Sequence, residues 1–265
     1  MILKFFIAAV VVATLSGLMS VYIAFNRKAT LSHSISHLSL TSYAISYLIG
    51  GAGILGECIM NFIWCCLLTA RNTDRYNRSS LLISNVVIIQ SIGLFIFSYL
   101  NDFSISYGSL LYGSFWLLSS FQIALFFLIA AMLLAFTILY GSTFIIFSMD
   151  ECAFSYFRTV PMRSLNVAYN FLMGFTITML YRSVGVFMVS ALLSLPGMIA
   201  VNITGDINRC FAISTFSAFF SIFSSVLLNI YLPNVIPLGL NAFIILSLSI
   251  MYFSSIIYRQ YFSYS

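Results

Sequence analysis

About nine apolar segments, each close to the length of a bilayer crossing, follow one another along this chain. They lie at roughly 4–25, 34–50, 52–69, 81–100, 121–147, 165–181, 184–201, 211–230 and 237–257. A helix needs about 20 apolar residues to cross the hydrocarbon core. Lipid offers backbone amides no partner, so a spanning segment must satisfy them within a helix or a closed barrel. Helical spacing and length therefore predict an all-α polytopic integral membrane protein, organised as a single transmembrane domain over residues 1–265. Charged residues make up 6% of the chain, against about 25% in soluble domains. No hydrophilic stretch is long enough to fold as a separate soluble domain. No GxxxxGK[ST] loop occurs, so ATP-driven work would need a second chain. The net charge of +5 comes from loop arginines, and nucleic acid is not an expected partner.

The first segment, with Lys4 near its start, has the outline of a signal peptide. Its apolar run continues through Phe25, the length of a full span, and it is read as a helix. The stretch 107–120, rich in Gly, Ser and Tyr, reads as a re-entrant or broken helix. With nine alternating spans and the N-terminus outside, Arg27, Lys28, Arg71, Arg75, Arg78, Arg158, Arg163, Arg209 and Arg259 fall inside. Only Lys4 and Arg182 of the 11 basic residues then fall outside. The positive-inside rule favours that orientation, with a cytoplasmic C-terminus. Eight spans with a cytoplasmic N-terminus is the alternative.

Both histidines, His33 and His37, sit four residues apart in the second segment. Residues at that spacing share a helix face, where two imidazoles can close on one transition-metal ion. Ionisable groups inside a span point to function, while a polar seam between helices would hold the same residues. On the residues alone, both readings stand. Glu57 and Asp102 fall at the outer face, where they could draw cations toward an entrance, or simply solvate loop ends. Glu57, inside an apolar region, is the stronger candidate and a possible third metal ligand. Asn85, Gln90, Asn170 and Asn241 either line a path or bond across helices. The five cysteines, Cys58, Cys65, Cys66, Cys152 and Cys210, show no CxxC spacing and read as reduced thiols.

The longest inside loop, Met149 to Ser164, is amphipathic, with Asp150 and Glu151 suited to a helix N-terminus. It reads either as a docking helix over 150–164 for a soluble partner or as a helix lying on lipid. Pro196-Gly197 predicts a helix break near the inner end of its span. Gly185, Ser190, Ala191 and Ser194 would allow close helix approach.

Taken in order, these parts resemble the membrane subunit of the zinc/manganese/iron ABC importers, the ABC-3 permease family. Gly17, the basic pair Arg27-Lys28 and Ser34-Ile35-Ser36-His37 are similar to the family's opening pattern, with His33 where the family carries an aspartate. Leu111-Tyr112-Gly113 looks like its L-[FY]-G, and Asp150-Glu151-Cys152-Ala153 like the acidic-x-Ala start of its coupling loop. Val184-Gly185, Ala191-Leu192-Leu193, Pro196 and Ala200 follow V-G-x-L-x-x-x-A-L-L-x-x-P-x-x-x-A. Tyr231 to Gly239 resembles the last outer loop, with Pro237 and Gly239 in place. The resemblance covers nearly the whole chain. The family's histidine-rich outer loops and the L-P-G after the second histidine position are missing, as is a glycine after Ala153.

The resemblance implies a permease without enzymatic activity of its own, in a multi-pass position in the bacterial inner membrane. It implies two copies around a central path, a dimer of a separate ABC ATPase beneath, and a metal-binding receptor outside. Asp150, Glu151, Ala153 and Arg158 would couple to the ATPase, and Gly113, Gly185, Pro196 and Gly197 would mark gates or helix breaks. His33 and His37 would hold the cargo in transit, with no permanently bound cofactor. Two neutral nitrogens suit zinc better than the harder manganese, which with iron comes second. An ion-coupled secondary carrier and a non-transporting membrane scaffold are the competing function classes.

Overall fold

A computed structural model describes residues 2–26, 29–48, 54–70, 86–93, 95–96, 120–149, 162–231 and 240–262. The described residues form eight long helices and a short helical stretch over 86–93, with no strand among them. The helices are α1 (Ile2–Phe25), α2 (Ala29–Leu48), α3 (Ile54–Ala70), α4 (Ser120–Met149), α5 (Met162–Val184), α6 (Val186–Ile203), α7 (Ile207–Tyr231) and α8 (Leu240–Phe262). Eight of the nine expected segments thus coincide with long helices. The remaining one, 81–100, is described only over 86–93 and 95–96. Among the described residues, five helical stretches are long and apolar enough to cross a membrane: Phe6–Phe25, Phe121–Ile146, Val186–Ile203, Ile207–Leu228 and Asn241–Tyr261. The expected re-entrant stretch 107–120 lies outside the described residues except Ser120, which opens α4. Of the expected docking helix, 150–161 lies outside them, and Met162–Ser164 form the first turn of α5.

The chain divides into two compact units. The first holds α1, α4, α7, α8 and most of α6. Its centre is α1, whose Leu15, Met19, Tyr22 and Ile23 have no exposed surface. α1 and α7 run antiparallel: Phe6 packs on Phe223, Gly17 meets Thr215, and Tyr22 meets Phe211. At the crossing, a Cβ on Gly17 would lie 2.5 Å from the Thr215 Cα, and the Ser214 hydroxyl donates to the Gly17 carbonyl at 2.7 Å. Small residues bring the backbones together, as expected where lipid gives helices no hydrophobic reason to associate. Tyr22 also packs on Phe136 and Phe144, in the second half of α4.

Residues 204–206 join α6 to α7, with the Asp206 carboxylate accepting from the Asn208 amide as an N-cap. Asn202, at the end of α6, donates to Ser255 and accepts from Arg259, at the end of α8. The last turns of α1, α4, α6 and α8 and the first turn of α7 therefore share one level. Arg209 and Arg259 stand at that level.

The expected break at Pro196-Gly197 is not present. α6 continues through both residues to Ile203. Proline removes one helical donor, but the helix is supported from outside: the Gly197 amide donates to the Ser20 hydroxyl of α1 at 2.6 Å. The interruption falls eleven residues earlier, at Gly185, which has φ 84°. A residue with a Cβ rarely adopts that conformation. Amide bonds from Gly185 to the Tyr181 carbonyl and from Val189 to the Gly185 carbonyl carry the helical ladder across the interruption.

The second unit packs α2, α3 and α5 together. α3 and α5 run antiparallel, with Asn61 against Thr178 and Phe62 against Phe171. A Cβ on Gly174 would come within 3.1 Å of the Phe62 amide nitrogen, so these backbones are also close. The short helical stretch reaches α2 at Thr41, whose hydroxyl donates to the Ile89 carbonyl.

Candidate metal site on α2

α2 carries serine, threonine and histidine between its apolar residues, and this mixture decides which sides it hides. Ile35 and Leu38 are fully buried, and Ser34, Ser36, Ser39, Thr41, Ser42 and Ser46 are buried with them. His33 is exposed and His37 half-buried. Their rings meet edge to face, with centroids 4.6 Å apart and planes at 74°. The i, i+4 spacing thus brings two imidazoles together on one accessible face. Each neutral ring offers one lone-pair nitrogen, and a first-row metal needs nitrogens at about 2.0–2.1 Å. The pair supplies two of the four ligands of a tetrahedral ion. Water or another chain must supply the rest.

Glu57 does not stand open at an entrance. It is 1% exposed, in the first turn of α3. A carboxylate there meets the positive end of the helix dipole. Among the described residues, no group of three or more His, Cys, Asp and Glu is placed to hold an ion, so Glu57 does not join the histidines in one cluster. Cys58, Cys65 and Cys210 are buried and Cys66 is partly exposed, and none of the four is in a disulfide. Asp102, Asp150, Glu151, Ala153, Arg158, Gly113 and Cys152 lie outside the described residues. So does Asn85, while Asn170 is buried, and Gln90 and Asn241 are partly so.

Behind α2 lies a buried polar residue that its local sequence does not mark as part of a site. Asn61 of α3 is fully buried. Its Oδ1 accepts from the Ser42 hydroxyl at 2.8 Å, and its Nδ2 donates to Thr178 Oγ1 at 2.7 Å. The Thr178 hydroxyl in turn donates a hydrogen bond to the Gly174 carbonyl at 2.8 Å. One amide thereby links three helices. Each such bond in a membrane contributes ~0.6–2 kcal/mol. The available signal was a lone asparagine in the middle of the 52–69 apolar run.

A family model, that of the ABC 3 transport family, matches residues 1–259. A Thermotoga maritima protein described as a probable metal transport system membrane protein is 24% identical over 197 residues, 74% of this chain and 69% of that one. PsaBC from Streptococcus pneumoniae, solved in complex with a Fab, superposes with a TM-score of 0.83 at 15% identity. The match covers 98% of this chain and 94% of that one. An inward-facing ABC transporter described as of metal-chelate type gives a TM-score of 0.68 at 13% identity, covering 96% and 84%. At these identities the two solved structures share the fold with this chain.

Proposed function

Since the chain belongs to the ABC 3 transport family, we propose that it is the permease subunit of an ATP-binding-cassette importer for a divalent transition metal. Zinc is the first cargo on this reading, and manganese or iron the next. The observation that carries it is the edge-to-face His33–His37 pair on the accessible face of α2. The likeness to a probable metal transport membrane protein and to a metal-chelate type transporter supports the same reading.

The chain works as a single transmembrane domain in the bacterial inner membrane, two copies enclosing the path. A cytoplasmic ABC ATPase dimer supplies energy and an extracytoplasmic receptor delivers the metal. Nine spans is the count we favour over eight. In the first unit α8 ends at the level where α1 also ends, so the start of α1 lies at the opposite side from the end of α8. The two ends of the chain then need an odd number of crossings. The level of Arg209 and Arg259 is the cytoplasmic one by the positive-inside rule.

His33 and His37 are a transient stop for the ion. A neutral pair leaves the ion's charge uncompensated in a low dielectric, which keeps binding weak. An importer must release what it binds. Asp150, Glu151, Ala153 and Arg158 engage the ATPase. Gly113 serves as a gate residue, Gly185 is a point of backbone irregularity, and Gly197, next to Pro196, packs against α1.

The test is zinc uptake into vesicles holding the permease with its ATPase, compared with His33→Ala/His37→Ala. Uptake should be ATP-dependent and should collapse in the double variant. Uptake that persists without the ATPase would make the chain an ion-coupled carrier. A complex with no substrate-dependent ATP hydrolysis would make it a scaffold.

A further inference from the structure

The geometry points to Asn61 as the positioning residue of the His33–His37 pair, an inference that rests on the metal-site reading above. A helix turns about 100° per residue, so Ser42 lies roughly 140° around α2 from His37 and about 180° from His33. Ser42 is buried and His33 exposed, in keeping with opposite faces. The node therefore grips the back of the helix whose front carries the imidazoles. Any roll or slide of α2 that re-aims the rings must first part the Ser42–Asn61 bond.

Asn61 suits this task better than a ligand's. Its carbonyl oxygen and its amide nitrogen each face a side-chain partner at short distance. Both partners belong to other helices, α2 and α5, which fixes the amide's orientation as well as its place. The α5 anchor is itself held, because Thr178 is bonded back to Gly174, where α5 and α3 are in backbone contact. A satisfied amide of this kind specifies one arrangement of three helices, whereas an apolar residue would permit neighbouring ones.

The experiment uses the full permease–ATPase complex, with Cu(II) as a spectroscopic probe and zinc uptake as the kinetic one. Wild type should show a Cu(II) resonance with two-nitrogen coupling that disappears in His33→Ala/His37→Ala. In Asn61→Leu the pair remains but loses its fixed aim. The zinc KM should rise about tenfold, the scale for losing a group that orients metal ligands, and the nitrogen coupling should broaden. A merely structural loss would lower kcat through fewer folded transporters and leave KM and the resonance unchanged. If Asn61→Leu does not assemble, Ser42→Ala removes a single hydroxyl and should shift KM in the same direction. Ser42→Thr, which keeps the donor, should restore wild-type values. Wild-type KM and resonance in the assembled Asn61 or Ser42→Ala variant would overturn the inference and leave the metal site standing. A wild-type complex with no histidine-dependent resonance would overturn both.

Discussion

Gly197 of α6 and Ser20 of α1 are joined backbone to side chain: the Gly197 amide donates to the Ser20 hydroxyl at 2.6 Å. A Cβ on Gly197 would fall inside the contact distance of the Ser20 carbonyl, so backbone rather than a flexible side chain stands in its way. Gly197→Ala should therefore destabilise the protein despite alanine's gain of about 1 kcal/mol in helix propensity. Overpacking of this kind costs about 1–3 kcal/mol, and bulkier Gly197→Val should cost more. Gly205→Ala is the control, since nothing lies within 4 Å of the added carbon, and it should change stability by less than about 0.5 kcal/mol. Thermal unfolding of the detergent-solubilised protein ranks the three. An unchanged melting temperature in Gly197→Ala would show that the two helices part without cost.

Coupling offers a second prediction. Asp150 and Glu151 would begin the cytoplasmic docking segment, where carboxylates favour a helix N-terminus. Replacing both with tryptophan adds bulk and removes that favourable charge. The ATPase should no longer co-purify, or should hydrolyse ATP without moving zinc. A fully coupled double variant would remove this segment from the ATPase interface.

Protons should compete with the metal. A histidine coordinates only through a neutral ring, and free imidazole titrates near pH 6.5. Acidification protonates the lone pairs, so zinc uptake should fall as the medium is made acid and level off toward alkaline pH. Any residual flux through His33→Ala/His37→Ala should lack this step. A flat profile in wild type across pH 5.5–8 would argue against imidazole ligands.

The sequence located the helices well because their lengths follow from bilayer thickness, which leaves an apolar run few ways to fold. The His33–His37 contact was legible for a similar reason, being local to one helix. What the sequence hid depends on partners far along the chain. Pro196-Gly197 has the local pattern of a break, yet Ser20, 177 residues away, gives the Gly197 amide a partner and the helix runs on. Asn61 looked like one polar residue in an apolar run until Ser42 and Thr178 met it from two sides. Glu57 reads as an outer-face carboxylate within an apolar region and is 1% exposed, since a position along the chain does not tell how deeply a helix's first turn is packed.

The resemblance to the ABC-3 permeases implies an aspartate at the position of His33, and restoring it should change metal choice. His33→Asp replaces a neutral nitrogen with an anionic oxygen on the accessible face of α2. Oxygen donors favour the harder manganese ion, while imidazole suits zinc. The carboxylate also compensates part of the ion's charge in a low dielectric, so binding of either metal should tighten. The two effects separate in transport. Relative uptake of manganese over zinc should rise, and zinc KM should fall with a lower kcat as release slows. His33→Asn keeps an oxygen without the charge and should move metal preference with little change in zinc KM. Competition uptake of the two metals by the three proteins measures both. An unaltered manganese-to-zinc ratio in His33→Asp would mean that residue 33 does not touch the ion.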